Sequence, residues 1–167
     1  MAVPFIKQLV WGSTLLAALS TGLMGGVFFA FSSFVMKALA RLPLPQGIEA
    51  MQSINLTAIN PLFMAALFGS TAVCVLLAVY SLVSSSQHGV TYLLVGSLFY
   101  LIGAFLTTVL FNVPLNNALA RVDSGSIAGA ELWARYLTTW SAWNHVRALS
   151  SILASAAFAF ALSRGSR

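Results

Sequence analysis

The stretch Trp140–Arg147 combines amide, imidazole and guanidinium side chains that could carry chemistry. On a helix, Asn144, Arg147 and Ser151 share one face, whereas His145 points about 100° away from Asn144. An arginine binds an oxyanion through two N–H groups, and a histidine can accept a proton near neutral pH. The pattern therefore predicts a site that binds an anion and moves a proton.

Arg147 and His145 each also have a structural interpretation. Arg147 either binds an anion or enolate inside a cavity, or it reaches lipid headgroups or pairs with Glu131. His145 is either a general base or an interfacial histidine bonded to the backbone. The sequence leaves both alternatives open.

Further polar and aromatic residues fall at the same end of the predicted membrane spans. Asn112 and Asn116 contribute to a site or cap carbonyl groups freed by Pro114. Trp140 and Trp143 are spaced to line a flat aromatic site, or they anchor the protein at the membrane interface. Because polar groups are costly inside a membrane, their clustering indicates one functional mouth. The candidate binding residues there are Trp140, Trp143, Asn144, Asn60 and Ser32.

The sequence contains no recognisable cofactor motif. Its single cysteine, Cys74, lies in an apolar run and is expected to be a small buried residue. His88 and His145 fall at opposite ends of predicted spans, and no Glu-x-x-His motif for a di-iron site occurs. Neither a phosphate-binding loop nor a basic stripe for nucleic acid is present. We expect no bound metal or cofactor and no nucleic-acid partner.

The composition places these residues in a membrane protein. Of the 167 residues, 59% are hydrophobic and 7% are charged, whereas about a quarter are charged in soluble domains. Four apolar stretches are long enough to cross a bilayer, which takes roughly 20 residues. They are Gln8–Met36, Asn60–Val83, Val90–Phe111 and Ala142–Leu162. The predicted fold is all-α, an integral membrane four-helix bundle that forms one domain over residues 1–167.

Two long loops containing short helices are predicted to lie over one mouth of the bundle. They are Lys37–Ile59 and Asn112–Ser141, with helix-like sequence at Ala50–Ala58 and Ser126–Tyr136. An even number of spans puts both termini on the opposite side. We expect that side to be the cytoplasmic face of a bacterial inner membrane, because the terminal cations lie close to the spans.

Small residues recur at every fourth position of the first span, including Gly22 and Gly26. Such a ladder lets another helix approach closely. The favoured partner is a helix of the same chain, and the alternative is a second copy in a homo-oligomer.

A short repeat links the two halves of the chain. Ala38–Leu42 recurs as Ala118–Val122, and Ala58–Asn60 recurs as Ala142–Asn144. Short Ala/Leu matches arise easily in apolar chains, so duplication and coincidence both stay open. A duplication would relate two helical hairpins by an axis along the membrane normal.

Nearly the whole chain resembles the anthrone oxygenase-like (noranthrone monooxygenase-like) membrane proteins, which have four spans. The resemblance rests on Gly26–Met36, Ala50–Asn55, Phe111–Asn117 and Trp140–Arg147, of which the last two are the most specific. Lys37 stands where many relatives have proline, a departure that concerns the local helix end.

The resemblance implies oxidation of a flat phenolic or anthrone-like compound, with molecular oxygen as co-substrate. A base would remove a proton, and the electron-rich anion would react with oxygen. His145 would be the base, Arg147, Asn112 and Asn116 would stabilise the enolate charge, and Trp143 would form a wall. The alternative is a non-catalytic membrane protein that binds a lipid, a quinone or a hydrophobic metabolite, or a structural partner subunit.

Overall fold

The computed structural model describes residues 2–84 and 89–165, and His88 lies outside them. The described chain forms five helices, four of which are long and apolar enough to cross a membrane. This arrangement confirms the predicted all-α membrane bundle. Helix α1 comprises Ala2–Ala30, Phe31–Val35 and Met36–Leu39; α2 is Leu44–Thr57, α3 is Pro61–Val83, α4 is Val90–Leu119 and α5 is Ile127–Gly165.

The long helices α1 and α5 pack side by side and run antiparallel. The Ser155 hydroxyl donates to the Ala18 carbonyl at 2.8 Å, and the Asn144 amide donates to the Phe28 carbonyl, also at 2.8 Å. Residue numbers rise along α1 as they fall along α5, so the beginning of α1 and the end of α5 lie on the same side of the bundle.

Helices α1, α4 and α5 are longer than a membrane crossing requires, whereas α3 matches it. Helix α3 has 23 residues, or roughly 35 Å, close to the ~30 Å hydrocarbon core of a bilayer. Helix α5 has 39 residues, or roughly 58 Å. The segment Ser126–Tyr136, predicted as a separate short helix in a loop, is instead almost entirely the first part of α5.

Helix α4 also continues past its predicted end at Phe111. Pro114 does not end the helix: it follows the π-helical segment Thr108–Asn112 directly and lies in the α-helical segment Val113–Leu119. The predicted connection Asn112–Ser141 is therefore mostly helical, and only a short turn separates Leu119 from Ile127.

The extended helix ends and α2 form a cap with its own apolar core. Two hydrogen bonds from the Gln52 amide to the carbonyls of Leu119 and Val122, at 2.8 and 3.1 Å, tie α2 to the end of α4. Both long connections thus lie at the same mouth. The buried residues of the cap are Met36, Leu39, Ile48, Met51, Leu115, Leu119, Trp133, Tyr136 and Trp140.

The small-residue ladder of α1 is used within the chain. A Cβ atom on Gly22 would lie 3.0 Å from the Ser155 Oγ atom of α5, so this glycine permits the close approach of the two helices. Gly26 faces outward, with nothing within 4 Å of a Cβ atom built there.

The two copies of the sequence repeat end their helices in the same way. The Arg41 amide donates to the Ala38 carbonyl at 3.1 Å, and the Arg121 amide donates to the Ala118 carbonyl at 3.2 Å. A π-helical segment precedes each end, at residues 31–35 and 108–112. Such segments are frequent at functional sites.

Candidate functional site

Arg147 is buried where the bundle core meets the cap core, with 6% of its surface exposed. Its Nη1 donates to the Thr108 hydroxyl at 3.3 Å, and its Nη2 donates to Oδ1 of Asn144 at 2.6 Å. The guanidinium carbon lies 4.4 Å from the Phe28 ring centre and 5.0 Å from that of Trp140. The cation is therefore held between two aromatic rings and neutral acceptors.

No carboxylate neutralises Arg147 among the described residues. The three acidic residues, Glu49, Asp123 and Glu131, are all exposed. Glu131 precedes Arg147 by 16 residues on the same helix, a separation of roughly 24 Å, so the two cannot pair. Because Arg147 is buried, its side chain does not extend to the lipid headgroups either. A buried cation without a counter-ion favours an anionic ligand.

Asn144 connects Arg147 to α1. Its Oδ1 accepts the bond from Arg147, while its Nδ2 donates to the Phe28 carbonyl and to the Ser32 hydroxyl, both at 2.8 Å. The side chain is completely buried. Asn144 thus orients the guanidinium, and the structure places Ser32 beside it.

Asn116 holds the aromatic side of the site. Its Oδ1 accepts two hydrogen bonds of 2.7 Å, from the Tyr136 hydroxyl and from Nε1 of Trp140. Tyr136 and Trp140 stack at 5.6 Å between ring centres, with 15° between their planes. Asn55 of α2 adds a longer bond to the Tyr136 hydroxyl, at 3.5 Å. Asn116 therefore positions Trp140, which lies against the guanidinium.

Two polar atoms at the site are buried without a hydrogen-bond partner. They are Nε of Arg147, a donor, and Oδ1 of Asn112, an acceptor. The other end of the Asn112 amide donates to the Trp140 carbonyl at 3.1 Å. An unpaired buried polar group costs about 1–3 kcal/mol, so these two atoms are suited to contacts with a ligand.

Three candidates from the sequence lie apart from this cluster. His145 is exposed, on a face of α5 turned away from Arg147. Both ends of the Asn60 amide are used: Oδ1 caps the start of α3 by accepting from the Phe63 amide at 3.0 Å, and Nδ2 donates to the Thr57 carbonyl at the end of α2 at 2.9 Å. Trp143 is half-buried and stacks on Phe111, with ring centres 3.8 Å apart. Within the described residues, none of these side chains forms a hydrogen bond or a cation–π contact with Arg147.

The site also contains residues that the sequence analysis did not include. Phe28, Thr108 and Tyr136 each precede a predicted site residue by four positions, namely Ser32, Asn112 and Trp140. Residues four apart share a helix face, so this spacing was the available signal. Phe28 and Thr108 are also separated by the 80-residue offset of the repeat, and both contact Arg147.

Across the described ranges, no group of three or more His, Cys, Asp or Glu side chains is arranged to hold a metal ion. The polar atoms that do converge are amides, hydroxyls and one guanidinium. Such a set can bind and polarise oxygen atoms of an organic anion.

Comparison with known protein families matches residues 61–157 to the family described as anthrone oxygenase. The match includes Thr108, Asn112, Asn144 and Arg147, whereas Phe28 lies outside it. No curated protein and no solved structure matches the chain. Because the matched segment covers more than half of the sequence, the chain belongs to the anthrone oxygenase family.

Proposed function

We propose that this membrane protein is an oxygenase that binds a flat phenolic or anthrone-like compound as its anion at Arg147. The observation that carries the proposal is the burial of this guanidinium among neutral partners only. A phenolate or enolate oxygen supplies the missing negative charge. Hydrogen bonds with a charged partner are roughly twice as strong as neutral ones, and they gain further in a low-dielectric site.

The aromatic side chains beside Arg147 suit a planar ligand. Trp140 and Phe28 present aromatic faces beside the guanidinium, at 5.0 and 4.4 Å from its central carbon. Asn112 offers an unpartnered carbonyl oxygen to a phenolic O–H group. A flat compound that carries one oxyanion and one neutral hydroxyl thus complements both the Arg147 Nε donor and the Asn112 Oδ1 acceptor.

The proposed reaction replaces a methylene group by a carbonyl group. Transfer of one C–H proton to a water molecule gives a carbanion that is delocalised onto the ring oxygen, where Arg147 stabilises it. The anion transfers electrons to molecular oxygen and forms a C–O bond; protonation then gives a hydroperoxide. Loss of water from the hydroperoxide leaves the ketone, so one oxygen atom enters the product and the other leaves as water.

Stabilisation of the anion is the main contribution of the protein in this scheme. Each preorganised donor at a developing oxyanion is worth about 100- to 1000-fold in rate. Arg147 binds the oxyanion, Asn144 orients Arg147, and Asn116 positions Trp140. The scheme uses oxygen as co-substrate and no further cofactor.

We also propose that the protein lies in a bacterial inner membrane, with both termini on the cytoplasmic side.

Oxygen uptake by the purified protein in lipid nanodiscs, with a panel of anthrones and phenols, tests the proposal. Arg147→Gln should lower kcat/KM by about 100-fold or more, because the charge and the unpartnered Nε–H donor are lost. Arg147→Lys should retain part of the rate, since the charge remains but the planar fork is lost. Arg135→Gln, an exposed arginine on the same helix, is the matched control.

The same measurement separates catalysis from binding. If the wild-type protein binds the aromatic anion through Arg147 but consumes no oxygen with any compound of the panel, with or without added flavin or metal, the binding-protein function replaces the oxygenase. Uptake that needs an added cofactor would retain the oxygenase and overturn only the cofactor-free scheme.

A further inference from the structure

Five buried side-chain atoms have no hydrogen-bond partner within the described part of the chain, and all five belong to α4 or α5. Two of them are at the Arg147 site. The other three are hydroxyl groups deeper in the bundle, where α1, α2 and α3 contribute none. The five atoms are Ser97 Oγ, Tyr100 Oη, Asn112 Oδ1, Arg147 Nε and Ser151 Oγ.

Most other hydroxyls in the spans bond to their own helix. Ser81 donates to the Leu77 carbonyl at 2.7 Å and Ser70 donates to the Ala66 carbonyl at 2.6 Å, each four residues back. Ser97 and Ser151 are completely buried but make no such bond. Their hydroxyls are therefore free to bond with something other than the helix backbone.

The Tyr100 hydroxyl is in the same situation. Its ring is completely buried in the bundle core, and the Ser70 hydroxyl of α3 interacts with the phenol group, but the two groups do not form a hydrogen bond of standard geometry. Leaving such a group dry costs about 1–3 kcal/mol. Buried polar groups that lack protein partners are characteristically satisfied by internal water.

The register of α4 and α5 fixes the order of these atoms. Thr108 bonds to Arg147, and a Cβ atom on Gly103 would overlap Ser150, so the two helices run antiparallel with matched levels. From Asn112 the order is Arg147, Ser151, Tyr100 and Ser97. Successive levels differ by about two to six residues, or roughly 3–9 Å along the axis.

These separations match the reach of water. One bridging molecule with two hydrogen bonds of about 2.8 Å spans up to roughly 5.5 Å, and two molecules span more. We propose that a file of internal water molecules runs along the α4–α5 interface from the Arg147 pocket to Ser97, bound by these five side chains. The water path gives a proton released in the pocket a route into the bundle; this use, but not the path itself, rests on the proposed oxygenase function.

Cysteine accessibility tests the path directly. In a Cys74→Ala background, Ser151→Cys and Ser97→Cys should react with a small, water-soluble methanethiosulfonate reagent, because the reactive thiolate forms only where water is present. Ala17→Cys, at a completely buried position of α1, is the matched control and should react at least 10-fold more slowly. If Ser151→Cys reacts but Ser97→Cys does not, water does not reach Ser97, and the proposed file from Arg147 to Ser97 is overturned.

Thermal unfolding gives an independent test that needs no substrate. If water satisfies the hydroxyls, Ser97→Ala, Tyr100→Phe and Ser151→Ala should each lower Tm by about 2–4 °C, the shift expected for the loss of one hydrogen bond. If the hydroxyls are dry, their removal should raise Tm, which would overturn the proposal. Failure of these tests with Arg147-dependent oxygen uptake intact would reject only the water path.

Discussion

Nη2 of Arg147 donates to Oδ1 of Asn144 at 2.6 Å, and this bond directs the Asn144 amide nitrogen towards α1. The nitrogen then bonds to the Phe28 carbonyl and the Ser32 hydroxyl. A single amide thus fixes the orientation of the guanidinium and joins α5 to α1. The position of the Arg147 guanidinium and the packing of α5 against α1 depend on the same side chain.

Asn144→Asp should weaken anion binding and oxygen uptake by at least 10-fold. The new carboxylate gives Arg147 an internal counter-ion, and it loses both donors to α1, so Tm should also fall. Ligand titration and oxygen uptake measure the effect, with Asn117→Asp, an exposed amide of α4, as control. Wild-type affinity in Asn144→Asp would mean that the charge of Arg147 does not hold the ligand.

His145→Ala should change kcat/KM by less than about threefold, because the imidazole is exposed and does not contact the Arg147 cluster. Removal of a true general base costs about 100-fold or more. Oxygen uptake over a pH series distinguishes the two cases. A 100-fold loss in a folded His145→Ala protein would establish His145 as the base that the family resemblance implies.

Gly103→Ala should destabilise the bundle by about 1–3 kcal/mol, because the added methyl group would overlap Ser150 and force α4 away from α5. The second change Ser150→Gly should restore much of the loss, which a double-mutant cycle of thermal unfolding would measure. Gly69→Ala, where a Cβ atom meets nothing within 4 Å, should have little effect. Equal destabilisation by both alanines would contradict the close α4–α5 contact.

Membrane topology can be tested with single cysteines in the Cys74→Ala background. Cysteines introduced at Pro45 and Gly125, both exposed in the cap, should react with an impermeant reagent added to the periplasmic side. Cysteines near residues 6 and 164 should react only from the cytoplasmic side. Labelling of Pro45→Cys together with a terminal cysteine from one side would contradict the arrangement of the spans.

The sequence by itself determined the class of fold and which polar residues of α5 share one helix face. Long apolar runs with few charges indicate membrane-spanning helices. In lipid, the backbone N–H and C=O groups cannot bond to water, and a helix pairs them within one segment. The spacing of Asn144, Arg147 and Ser151 predicted that they share one helix face, and all three are buried in the structure. That prediction succeeded because helical periodicity is a local property of the chain.

Helix continuity was decided by the tertiary structure. Polar residues at 126–141 suggested a loop with a short helix, but packing against the cap core makes them part of α5. The π segments of α4 were also invisible in the sequence. On a regular α-helix, side chains spaced four residues apart are rotated by about 40° around the helix axis from one to the next. The wider π turns, with more residues per turn, offset this rotation. They keep Tyr100, Thr108 and Asn112 buried together.

The composition of the site was likewise settled only by packing. His145, Asn60 and Arg147 were all reasonable candidates, because each is polar and near the same mouth. The side on which α1 and α4 contact α5 buries Arg147 and leaves His145 exposed. The Asn60 side chain instead caps the start of α3, where it accepts a hydrogen bond from the Phe63 amide. Contacts between distant segments select which polar side chains lose their water, and no local pattern encodes that selection.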